Sequence, residues 1–206
     1  MNIKSPSLPA KLKLVAAALL VLQSATFAAE TRWYIVAEPK SAQRLGGELV
    51  DNARKTVLAA AKATGAELGF PAKEDEVLTA YPEPAAFRTD ALRNADDVLA
   101  AIQPEIVRDD KQVVQYIVLK TDYPLAGSLI TAPSLQKTFE PLLGPRFGLT
   151  VPSRFMVVLF PMGGNRSTAV AEITKTEFRN SPAAVSQEVF RVDTTSVAAI
   201  GTLEEK

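Results

Sequence analysis

Cysteine and histidine are both missing from this 206-residue chain, and the two absences remove most familiar chemistries. Without cysteine there is no disulfide, no thiolate nucleophile and no thiolate zinc site. Without histidine the usual catalytic triads, imidazole bases and nearly all zinc sites go as well. What survives is carboxylate chemistry, serine–lysine chemistry, or binding of hard metals through oxygen. Asp and Glu are also missing from residues 1 to 28. Long apolar runs are scarce: Leu14–Leu22 is nine residues, where a transmembrane helix needs roughly 20.

The first 28 residues have the three parts of an export signal. Lys4, Lys11 and Lys13 make a basic start, Leu14–Leu22 an apolar centre, and Thr26 and Ala28 stand three and one residues before a cut ahead of Ala29. The expected destination is periplasmic or secreted. No twin arginine favours a different export route, and no cysteine offers a lipid anchor. Removing the three lysines leaves 20 basic against 23 acidic residues, a net charge of −3. Such a chain has no general attraction for nucleic acid, and no stable membrane span remains once the signal is removed. At 47% hydrophobic and 22% charged, the rest is ordinary for a folded domain and too apolar for a disordered one.

Two dense apolar runs dominate the chain. Val113–Leu119 and Phe155–Phe160 each suit a buried strand, and Val118, Leu119, Leu159 and Phe160 are the expected core residues. Phe147–Val151 is a shorter strand, joined to the second run by a tight turn at Pro152–Arg154. Between the runs lies a short helix around Leu135, capped by Thr131 or Ser134, which Pro141 should break or kink after Phe139. Upstream, Trp33–Ala37 reads as a strand ended by Pro39. Leu45 to about Thr64 reads as a helix, with Leu49, Ala53, Val57, Ala60 and Ala61 on one face. Residues 66–88 read as loop, because Gly69, Pro71, Pro82 and Pro84 interrupt every period. A helix from Thr89 or Asp90 to about Ala101 follows, then a turn at Val107–Lys111. Near the end, Ala169–Arg179 is partly helical in pattern. Glu188–Asp193 reads as a strand with Val189 and Phe190 towards the core, and Val197–Ile200 as a last strand. The fold class expected is α+β: one domain over 29–206, with a mainly antiparallel sheet and helices packed on one face. A two-lobe division near residue 110 is the alternative.

VVQYIVLK, GSLITAPSLQKTFEPLLG, VPSR opening into FMVVLFP, and SQEVFRV occur in that order. Over residues 112–201 this order resembles the uncharacterised bacterial YtpQ-like family. The resemblance implies an architecture and carries no activity with it.

No catalytic or metal-binding motif is present, so no catalytic residue, metal or cofactor is expected. The candidate ligand-binding residues are Arg154, the one charge between two strands, and the turn Gly163, Gly164, Asn165 and Arg166. A guanidinium at a strand start can grip a carboxylate or phosphate with two hydrogen bonds. A glycine-rich turn between strand and helix can cradle an anion on backbone N–H groups, although both ordered phosphate-binding motifs are absent here. For both, an ordinary turn role is the preferred reading. The expected function is a non-catalytic binding or interaction module of the cell envelope, with a protein or small molecule as partner. The alternative is a hydrolase working through carboxylates or a Ser–Lys pair on cell-wall or sugar substrates.

Overall fold

The structure, a computed structural model, describes residues 31–42, 48–64, 67–69, 74–163 and 167–204. The export signal therefore lies outside the described residues, as do Gly164, Asn165 and Arg166. Thr31–Lys206 forms one unit.

Strand β1 (Thr31–Pro39) runs antiparallel to β3 (Thr56–Thr64) along its whole length. The other edge of β3 is shared by β2 (Glu48–Leu49) at one end and β4 (Glu67–Gly69) at the other. The second sheet is larger and wholly antiparallel. Its order is β10-β9-β7-β8-β6-β5, from β5 (Glu105–Arg108), β6 (Val114–Lys120), β7 (Phe147–Ser153), β8 (Met156–Pro161), β9 (Glu188–Val192) and β10 (Val197–Thr202). The helices are α1 (Glu74–Ala80), α2 (Pro84–Ala101), α3 (Leu135–Leu143) and α4 (Ser167–Asn180), with a 3-10 helix at Ala126–Thr131.

The α+β class with antiparallel sheets is the one expected. The strands, however, divide between two sheets, and helices lie against both faces of the larger one. Ile117, Leu119, Leu149 and Leu159 face a core completed by Leu129, Leu135 and Phe139. On the opposite face Val118 and Val158 meet Val170 and Ile173 of α4. Covering both faces explains why the β6 and β8 runs are continuously apolar instead of alternating. Of the four expected core residues, Val118, Leu119 and Leu159 are buried and Phe160 is half-buried.

The expected Leu45–Thr64 helix is β2, a bend and β3 instead. Alanine favours helix in isolation, but β3 is decided by its partner. Tyr34 stands opposite Ala61 and Val36 opposite Ala59, so bulk from β1 meets small side chains from β3 on one face. The loop expected at 66–88 contains α1 and the start of α2. Pro84, read as a breaker, sits in the first turn of α2, where a missing N–H costs nothing. Pro141 does not end α3, which runs on to Leu143 with Gly144 N–H closing on Glu140. In β9 the inward residues are Glu188, Phe190 and Val192, while Val189 is half-buried. Residue 110 falls in the turn between β5 and β6, where Asp109 accepts hydrogen bonds from the N–H groups of Lys111 and Val113.

The free edge of β1 is covered. Asn94 of α2 donates to the Trp33 carbonyl at 2.8 Å, and Thr131 donates to that of Ile35 at 3.3 Å. The 3-10 helix comes so close that a Cβ on Gly127 would lie 2.8 Å from the Ala37 carbonyl oxygen, so only glycine fits there. This packing shapes the cleft described next. Among the described residues no helix is long and apolar enough to cross a membrane.

Candidate functional site

A cleft of about 500 Å³ opens between the small sheet, α2, α3 and the β9–β10 turn. Ile35 of β1, Leu58 of β3, Leu92 of α2 and Val197 of β10 form a half-buried apolar floor, backed by Ile130 and Leu135. Leu49 of β2 adds an apolar rim and is 44% exposed. Partly exposed aliphatic groups gathered on the floor of a concavity, with polar groups such as Thr131, Gln136 and Thr194 around them, make an amphipathic pocket that suits a ligand with both an apolar and a polar part.

The charged groups on the cleft are Arg88, Asp51 and Asp193. Arg88 lies one helical turn before Leu92, so the guanidinium and the apolar floor share one face of α2. It is exposed and makes no hydrogen bond or ion pair among the described residues. Asp51 is held through its backbone: its carbonyl accepts the N–H of Ala199 at 2.8 Å, linking the bend before β3 to β10. Asp193 is committed to its own turn. Its Oδ1 accepts the N–H groups of Thr195 and Ser196, both at 3.0 Å, and the Thr195 hydroxyl at 2.9 Å. The Thr195 and Ser196 donors hold its carboxyl down at about 2, so it remains an anion at any ordinary pH.

Arg154 lies elsewhere. It occupies the β7–β8 turn and grips Glu38 of β1 with Nε and Nη2, both at 2.7 Å. Glu38 is only 2% exposed. Burial raises its carboxyl above the usual range while the guanidinium opposes that rise; the same contact raises Arg154. The Arg154 backbone is fixed too, donating to Ala183 and accepting from Ala126. The guanidinium thus joins the two sheets. Gly163 takes a φ of 108° in an exposed turn after β8, and its three neighbours in the predicted anion turn lie outside the described residues.

A second buried carboxylate, Glu188, accepts the N–H groups of Arg54 at 2.8 Å and Lys55 at 3.2 Å, and the Thr56 hydroxyl at 2.7 Å. The adjacent acids Asp96 and Asp97 point apart: one takes the N–H and hydroxyl of Ser134, the other Arg32. Ser128 is buried, and its hydroxyl donates to the Leu125 carbonyl. Among the described residues no three acidic side chains gather as a metal site.

Sequence reading passed over Arg88 because Pro82 and Pro84 placed it in a loop. Taking Pro84 as a helix start would have set Arg88 and Leu92 on one face. Glu38 left a fainter sign, as the one acid in β1, directly after the apolar run Trp33–Ala37. No family model matches this chain, and comparison with curated proteins and with solved structures finds no match.

Proposed function

We propose that the chain is an exported protein of the cell envelope, periplasmic or secreted, that works as a non-catalytic binding module. Its ligand occupies the cleft and combines an apolar body with an anionic group. The observation that carries this reading is the Arg88 guanidinium, without a partner among the described residues, beside the apolar floor and its exposed Leu49 rim. An apolar body removes that floor from water, and Arg88 supplies direction through a charge-assisted hydrogen bond. The pattern of residues 1–28 supports export. The YtpQ-like resemblance belongs to the same proposal: residues 112–201 run from the start of β6 into β10, so the likeness concerns the larger sheet and not the cleft's α2 wall.

The runner-up is a carboxylate-dependent hydrolase, favoured by the presence of Asp51 and Asp193 on one cleft. Such chemistry needs one acid that keeps its proton near neutral pH. Asp193, held at about 2, cannot be that acid. Among the described residues no lysine lines the cleft to serve a serine.

Two fluorescent probes with the same kind of aromatic body test the cleft: anionic anilinonaphthalene sulfonate and uncharged phenylnaphthylamine. One saturable site is expected for each. Arg88→Ala should weaken the sulfonate about tenfold and leave the uncharged probe within about twofold. Equal loss of both probes, or no loss of either, would remove Arg88 from the site. For export, protein recovered from the envelope should begin at or next to Ala29; an intact Met1 on soluble cytosolic protein would end that part of the proposal.

A further inference from the structure

A second pocket, of about 460 Å³, lies on the far side of the bend before β3 and is independent of the cleft just described. Three cations line it: Lys40, Arg54 and Lys55. They are gathered in a chain whose net charge is −3 once the signal is gone, so average composition does not account for them. Hydrogen bonds tie the backbone beneath them together. Lys40 N–H donates to the Lys55 carbonyl at 2.7 Å, which ties the end of β1 to the bend. Glu188, 5% exposed, spends its oxygens on the backbone of Arg54 and Lys55 and on Thr56. A buried carboxylate thereby fixes the loop without accepting a hydrogen bond from any of the three side-chain cations.

Among the described residues one carboxylate lines the pocket, Glu204, which forms an ion pair with Lys55. The side chains of Lys40 and Arg54 have no hydrogen bond or ion pair among the described residues. Phe178 supplies an apolar wall. The pocket thus already holds one anion, borrowed from its own chain, and retains two cations with none.

We propose that this pocket binds a phosphomonoester, and that Glu204 is an intramolecular stand-in that the phosphate displaces from Lys55. A phosphomonoester carries about −1.5 to −2 at neutral pH, which suits three cations better than one carboxylate does. The Arg54 fork matches two phosphate oxygens, and the lysines act as point charges on the rest. A sugar phosphate and a phospholipid headgroup present the same group.

Calorimetric titration of the purified protein with inorganic phosphate, at low and at moderate salt, tests the proposal. Saturable binding is expected that weakens with salt. Arg54→Ala should lower affinity about tenfold, because a hydrogen bond between charged groups is lost. Glu204→Gln should raise affinity about threefold, the scale of an exposed ion pair no longer competing. Lys111→Ala, in the β5–β6 turn, should change nothing. Both pocket substitutions leave the backbone contacts of Glu188 in place, and Trp33 fluorescence checks that each variant is folded. The proposal is overturned by an absence of saturable phosphate binding. It fails equally if Lys111→Ala weakens binding as much as Arg54→Ala, or if Glu204→Gln leaves affinity unchanged. Binding of a soluble sugar phosphate, or of phosphatidic-acid vesicles against phosphatidylcholine vesicles, supports the site and separates a free phosphate from a lipid source.

Discussion

Arg154→Ala is expected to cost about 3 kcal/mol at neutral pH, a large share of the roughly 5–15 kcal/mol that holds a domain together. The loss comes less from the missing contact than from what remains. Glu38 is 2% exposed, and both its oxygens are held by the one guanidinium at 2.7 Å. Without Arg154 a buried carboxylate has no cation. The Arg154 side chain is itself 29% exposed, so water can enter the vacated space, which places the cost at the lower end for a broken buried pair. The pH dependence has a defined sign. Burial already raises the folded-state value of Glu38 above its ordinary one, and removing Arg154 raises it further. A folded-state pKa above the unfolded one gives stability that is present in acid and lost as pH rises through the folded value. The deficit of Arg154→Ala should therefore shrink as pH falls from neutral towards the ordinary carboxylate range. Urea unfolding followed by the single tryptophan, Trp33, measures both effects. The double variant Glu38→Gln with Arg154→Ala should recover much of the loss and remove the pH dependence that Glu38 contributes. An Arg154→Ala protein as stable as the parent at pH 7 would show that Glu38 tolerates burial alone.

The same residue shows where a linear reading stops. Placed between Pro152 and Phe155, Arg154 looks like a turn residue that is solvated or paired nearby, and alanine there should do no harm. Its partner stands 116 residues away, on a strand of the other sheet. Nothing local announces that contact. The strands β6, β7, β8 and β9 were legible because their runs are dense in valine, leucine and phenylalanine, which pack on a pleated surface whatever surrounds them. Strand β3 was not, because its alanines have no such preference of their own and take their conformation from the bulk of Tyr34 and Val36 opposite. The start of α2 was hidden by a proline read as an interruption, although a proline in a first helical turn is an opening. The cleft was wholly out of reach. Its floor is assembled from Ile35, Leu58, Leu92 and Val197, which no spacing along the chain connects.

Phe147→Ala should destabilise the protein by about 3–5 kcal/mol, whereas Phe160→Ala should cost about 1–2 kcal/mol. Both residues belong to the apolar runs of the hairpin β7–β8, and composition does not separate them. Position in the sheet does. Phe147 lies between two neighbours, opposite Pro161 of β8 and Val192 of β9, and is fully buried in the larger core. Truncating it leaves a cavity that strands on both sides must either tolerate or collapse into. Phe160 is half-buried on the α4 side, and its ring covers Gly148 across the hairpin: a Cβ there would lie 2.2 Å from the ring. That ring protects a glycine in a strand, a smaller contribution than filling a core, and water can replace part of it. Chemical denaturation of the two variants side by side gives the comparison. If Phe160→Ala loses as much as Phe147→Ala, the α4 face carries as much of the stability as the inner face. If Phe147→Ala loses less than about 1 kcal/mol, the inner core is not where the sheet is held.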